Sequence, residues 1–136
     1  MYLLLAAILL FGPYRAELVR VVDGDTVRVH VHVWPGEYHE VAIRIGGIDT
    51  PELHAKTTCE RQMAFRAKQF TEQFVTGKAL RVLNIQPDKY NDRMVADLEA
   101  EGEDLKLALL KAGLARSYDG GAKPPWCQPV NFTPSQ

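Results

Sequence analysis

A chain of 136 residues can build one compact domain around one core, and no second domain. With 16 Lys and Arg against 17 Asp and Glu, its formal charge is −1, which excludes a uniformly basic nucleic-acid scaffold, and 46% hydrophobic residues exclude a disordered chain. Any preference for a charged partner has to be local.

The run Leu3-Leu4-Leu5-Ala6-Ala7-Ile8-Leu9-Leu10, closing at Phe11-Gly12-Pro13, is apolar but too short to span a bilayer as a helix, which takes roughly 20 apolar residues. It fits the apolar region of a secretory signal covering residues 1–16, with a cut after the small residue Ala16, although no Lys or Arg precedes it. The expected location is therefore secreted or periplasmic. An uncleaved anchor or a misplaced start is the other reading. Cys59 and Cys127 form no CxxC or Cys/His metal spacing; in an exported chain they can pair, and otherwise they are two free thiols.

From Glu17 the pattern is that of a strand. Residues 26–33 alternate strictly, placing Val27, Val29, Val31 and Val33 on one face, directed at a barrel interior, with His30 and His32 solvated on the other. Pro35-Gly36 signals a turn, after which Val41, Ile43 and Ile45 repeat the alternation and Arg44 looks away from the core. A helix is expected over 59–76, from Met63, Ala67, Phe70 and Phe74 at helical spacing, with Thr57 and Glu60 as a capping box and Gly77 as the stop. Strands follow at 79–85 and 94–99, joined by a polar hairpin over 88–93. A short helix starts near Asp104, runs through Leu105, Ala108, Leu109 and Ala112, and ends at Gly113. Residues 119–136, rich in Gly and Pro, read as an extended tail, in which Asn131-Phe132-Thr133 is an accidental glycosylation sequon. Short strands interrupted by one long and one short helix give an α+β, mainly β chain: a five-stranded Greek-key barrel of the OB-fold type over 17–118.

Three clusters carry chemistry: Val22-Asp23-Gly24-Asp25-Thr26, Arg44-Ile45-Gly46-Gly47-Ile48-Asp49-Thr50-Pro51-Glu52, and Asp88-Lys89-Tyr90-Asn91-Asp92-Arg93. Asp25 and Asp49 sit at strand ends that a small barrel brings together, and hard carboxylate oxygens suit Ca²⁺ or Mg²⁺. Asp23 reads as a turn residue. Each cluster alone is a weak signal.

Together, in this order and followed by Gly113-Leu114-Ala115, the clusters resemble the staphylococcal nuclease, or thermonuclease, family over residues 17–118. The resemblance implies one Ca²⁺ held by Asp25, Asp49 and the Thr50 carbonyl. It also implies Glu52 as general base or water-positioning group, and Arg44 and Arg93 on the scissile phosphate, where a planar guanidinium meets two oxygens at once. Lys89, Tyr90 and Tyr118 would grip substrate by phosphate contact and by stacking that tolerates any base. The implied activity is low-specificity hydrolysis of DNA and RNA phosphodiesters, single-stranded or locally melted, leaving 3′-phosphates. No stable protein partner is implied and a monomer is expected. Two features depart from the family. Asn91-Asp92 stands where the family hairpin has a single glycine, which threatens the placement of Arg93. The long carboxy-terminal helix of the best-known members is missing, and a bridge from Cys127 to Cys59 would pin the tail across the first helix instead. The rival readings are a catalytically weak or inactive nucleic-acid-binding barrel and an envelope protein using the barrel for protein contacts.

Overall fold

The structure, a computed structural model, describes residues 12–89 and 92–127. Three long strands open it: β1 (Tyr14–Asp23), β2 (Thr26–Trp34) and β3 (Glu37–Ile45), followed by the two-residue β4 (Ile48–Asp49). Helix α1 (Thr58–Val75) leads to β5 (Leu80–Pro87), β6 (Arg93–Ala100) and the short β7 (Glu103–Asp104). Helix α2 (Leu105–Lys111) and β8 (Arg116–Ser117) complete the described chain. Neighbours run β3-β2-β1-β5-β6, and a parallel pairing of β3 with β6 closes the circle into the expected five-stranded, mainly β barrel with two helices.

The alternation in β2 and β3 does what its period requires. Val27, Val29, Ile43 and Ile45 are fully buried and meet Val82, Leu98, Leu105 and Leu109 in one core. Val33 departs from expectation: at the far end of β2, beyond the reach of the core, it is 41% exposed beside an exposed Trp34. His30 and His32 are also not simply solvated, since they pair with Glu40 at 3.3 Å and Glu17 at 3.1 Å across the outer face of the sheet.

Helix α1 buries Ala64, Ala67, Thr71, Phe74 and Val75 along one face. Thr57 caps it by accepting the Glu60 N–H, but the expected box is incomplete. The Glu60 carboxylate accepts instead from the N–H of Glu52 at 3.1 Å, tying the loop before the helix to its first turn. Helix α2 is capped by Asp104, which accepts from the Leu107 N–H, and ends at Gly113, whose φ of 72° suits a residue without a Cβ.

Barrel closure depends on the start of β1. Its entire pairing with β5 consists of Tyr14 with Val82, Arg15 with Arg81 and Ala16 with Leu80, and Ala16 is buried. The cut expected after Ala16 would therefore fall inside β1 and remove that ladder, whereas the apolar run before Gly12 lies outside the described residues. A chain beginning at Glu17 should be less stable than one beginning at Pro13 by about 3 kcal/mol, from lost ladder hydrogen bonds and lost burial. Urea unfolding of the two truncations measures it, and equal midpoints would show that β1 needs no more than its pairing with β2.

Candidate active site

The Asp23-Gly24-Asp25 turn is fixed from below by α1. Thr71 donates its hydroxyl hydrogen to the Gly24 carbonyl at 2.7 Å, and a Cβ on Gly24 would lie 2.7 Å from that of Ala67, so glycine is what lets the helix approach this closely. The result is a carboxylate, Asp25, held at the barrel rim and 7% exposed. Its Oδ1 accepts from the Thr26 hydroxyl at 2.9 Å, and its Oδ2 accepts from the Thr50 N–H at 3.3 Å, joining the first cluster to the second.

Arg44 lies opposite Thr26 in the β2–β3 ladder, so its side chain rises at the same rim. It does point away from the barrel interior, but not into open solvent: it donates to the carbonyls of Ile45 at 3.1 Å and Ile48 at 3.2 Å. One of its nitrogens stands 3.7 Å from Asp25 Oδ2 and 3.9 Å from Asp49 Oδ1, so both carboxylates converge on a single guanidinium. Asp49 is 1% exposed, and Thr50 beside it is also buried.

Arg93 begins β6, whose parallel register sets it beside Ala42 and two residues before the partner of Arg44. It bonds through Nε to Asp88 and lines the same groove as Asp25, Arg44 and Glu52. The Asn91-Asp92 step thus leaves the hairpin guanidinium on the site side of the barrel. Burial pushes the Asp88 carboxyl up, but the Arg93 hydrogen bond, the Lys89 N–H and the charges of Arg93 and Arg44 together hold it below the usual carboxylate range. Lys89 and Tyr118 line the groove as well, whereas Tyr90 lies outside the described residues. Glu52 is exposed at the groove edge.

Two further cations at this site carry no signal in the sequence. Arg116 reaches Asp49 Oδ2 at 3.3 Å from β8, the antiparallel partner of β4, and its guanidinium lies 4.1 Å from the centre of the Trp126 ring. Lys123, from the tail, stands 3.1 Å from Asp49 Oδ1 and 3.6 Å from Glu52, and 5.1 Å from the centre of the Tyr118 ring. Burial works against the charge on Lys123, but Asp49 first and then Glu52 and Tyr118 hold its pKa above the ordinary lysine value. A disulfide joins Cys127 to Cys59 at the start of α1, with 6.2 Å between Cα atoms.

These residues fit a hard divalent cation. Despite two ionic neighbours, Asp49 Oδ1 is a buried carboxylate oxygen with no directed hydrogen bond among the described residues, the kind of oxygen a metal ion satisfies. No three His, Cys, Asp or Glu side chains among the described residues form a cage by themselves; two carboxylates and a carbonyl would suit an ion that keeps several waters.

Comparison with known proteins matches residues 42–126 to the family model described as staphylococcal nuclease homologue. The chain is 31% identical to an uncharacterized protein of Methanocaldococcus jannaschii, over 77% of this chain and 59% of that protein. It is 29% identical to an endonuclease of Bacillus subtilis, over 73% and 46%. It is 31% identical to a thermonuclease of Staphylococcus intermedius, over 72% and 56%. The chain thus spans about half the length of the curated relatives it matches.

Asp23 reports on the crowding of negative charge. Burial, the charge of Asp25, a side-chain hydrogen bond with Asp25 and the charge of Glu52 outweigh the Asp25 N–H that it accepts, and push its pKa from 3.8 up to about 7. The folded chain then holds this proton more tightly than the unfolded chain. Its contribution to stability is full below pH 4 and is lost as pH rises through about 7. In EDTA, Asp23→Asn should be more stable than the parent at pH 8 by about 2 kcal/mol, roughly half the full linkage value because the group is partly exposed to solvent. The gap should close towards pH 4; a difference that is flat from pH 4 to 8 in urea unfolding would show that Asp23 titrates normally.

Proposed function

The chain belongs to the staphylococcal nuclease homologue family, and from that premise we propose that it is a calcium-dependent nuclease hydrolysing DNA and RNA phosphodiesters with low sequence specificity and leaving 3′-phosphates. The observation that carries this reading is the convergence of Asp25 and Asp49 on Arg44 at the rim of a groove that Arg93 also lines. Asp25, Asp49 and the Thr50 carbonyl are the groups that would hold the cation. When bound, a hard cation supplies charge to a phosphate oxygen and a water of lowered pKa.

The chain's own residues do the rest. Arg44 and Arg93 bind the scissile phosphate and stabilise charge that builds on its equatorial oxygens; their forks are held by the Ile45 and Ile48 carbonyls and by Asp88, so little reorganisation accompanies the reaction. Glu52 orients or accepts the proton of the attacking water as that water meets phosphorus in line with the departing 5′ oxygen, and the Glu60 bond to its N–H fixes the loop that carries it. Lys89, Tyr90 and Tyr118 grip the flanking strand, and single-stranded or melted nucleic acid, with its bases open to stacking, is the substrate they suit. A monomer suffices, because every named group comes from one chain. Export is part of the proposal: the apolar run is read as a signal, and the Cys59–Cys127 bridge suits an oxidising compartment.

Plasmid nicking tests the reading. Cleavage should require Ca²⁺ and stop with EDTA. Arg44→Gly and, separately, Arg93→Gln should each lower kcat by on the order of a hundredfold or more while far-ultraviolet circular dichroism stays that of the parent. Binding of oligonucleotide without cleavage in Ca²⁺ would replace the hydrolase with a binding module.

A further inference from the structure

The tail residue Lys123 lies outside the three clusters that carry chemistry in the sequence. It arrives from outside the barrel, carried on the segment 119–127, yet its ammonium ends on the inward carboxylate oxygen of Asp49 and close to Glu52. Four contacts bring the tail to this point. Tyr118 hydrogen-bonds through its N–H to the Gly47 carbonyl and through its hydroxyl to the Gly121 carbonyl, Trp126 lies against the Arg116 guanidinium, and Cys127 is bonded to Cys59 on α1. Lys123 lies between these fixed points, so its reach to Asp49 is set by the tail's attachment at both ends.

Asp49 Oδ1 is also the carboxylate oxygen that offers itself to a cation. An ammonium and a divalent ion cannot both stand within contact distance of it without strong repulsion, because a site largely withdrawn from water screens them poorly. We propose that Lys123 is a positioning residue of the metal site, a tail-borne ammonium that occupies Asp49 and Glu52 until a divalent cation displaces it, and that the Cys59–Cys127 bridge holds it there. The inference rests on the calcium reading above. It makes the intrinsic affinity of the carboxylates greater than the affinity the whole chain displays, because only the fraction of molecules with Lys123 withdrawn is competent to bind. The Lys123 side chain is 43% exposed, so withdrawal into solvent is open to it.

Calorimetric titration of the metal-free, oxidised chain with Ca²⁺ reads this without any catalysis. Lys123→Met, which keeps length and removes charge, should tighten Ca²⁺ binding about tenfold, and Lys123→Arg should restore the parent value. Replacing both Cys59 and Cys127 by Ser should tighten binding in the parent and change it less than twofold in the Lys123→Met background, with thermal melts confirming that each chain is folded. Equal, measurable affinity in the parent and Lys123→Met, or weaker binding in the variant, overturns the role of Lys123 and leaves the calcium reading standing. No Ca²⁺ uptake by any of the chains overturns both.

Discussion

Two carboxylates sharing one guanidinium is the constraint on which this structure turns. Asp25 and Asp49 are almost wholly withdrawn from water, and buried like charges repel strongly unless a cation joins them. Arg44 is that cation from within the barrel, and it is held by two backbone carbonyls as well as by the acids. Arg116 and Lys123 add two more cations on Asp49, yet its Oδ1 has no directed hydrogen bond among the described residues, which leaves one carboxylate oxygen of the groove open to a better partner.

The barrel places these groups through closure more than through any local motif. The antiparallel β2–β3 ladder sets Thr26 opposite Arg44, and the parallel β3–β6 pairing brings the hairpin arginine to the same end. Helix α1 fixes the aspartate turn from beneath through Ala67 and Thr71, and its first turn fixes the Glu52 loop through Glu60. A change in the packing of α1 would therefore reach the site as well as the core, since both clusters lean on the helix.

Much of this was legible in the sequence. Strict alternation over Val27, Val29 and Val31, and over Ile43 and Ile45, has only one reading once one face must be buried, and the helical spacing of Ala67 and Phe74 was equally plain. Asp25 and Asp49 could be picked out as carboxylates at strand ends, whereas Arg44 and Arg93 stood out only through the resemblance to the family. Arg116 and Lys123 could not. Neither lies in a periodic segment, and each reaches Asp49 by a route that exists only after β8 pairs with β4 and the tail is bonded to α1. Glu60 was misread for a related reason: the pattern of a capping box is local, but its carboxylate found a better donor eight residues back in the loop. Val33 failed at the other extreme, where the alternation outran the core it was meant to face.

The tail over residues 119–127 is held in a way that differs from a docked helix. A docked helix contributes burial along its length, whereas this segment is irregular and is held at points: a ring on a guanidinium, an ammonium on a carboxylate, and one covalent bond. Cross-linking residues 68 apart in sequence removes chain entropy from the unfolded state worth about 4 kcal/mol, comparable to a modest helix–barrel interface. It does so while leaving the polar contacts between the anchor points open to exchange. Stability and adjustability are thereby separated in the tail: the bridge supplies the first, and Lys123, a partly exposed ammonium on a buried carboxylate, supplies the second.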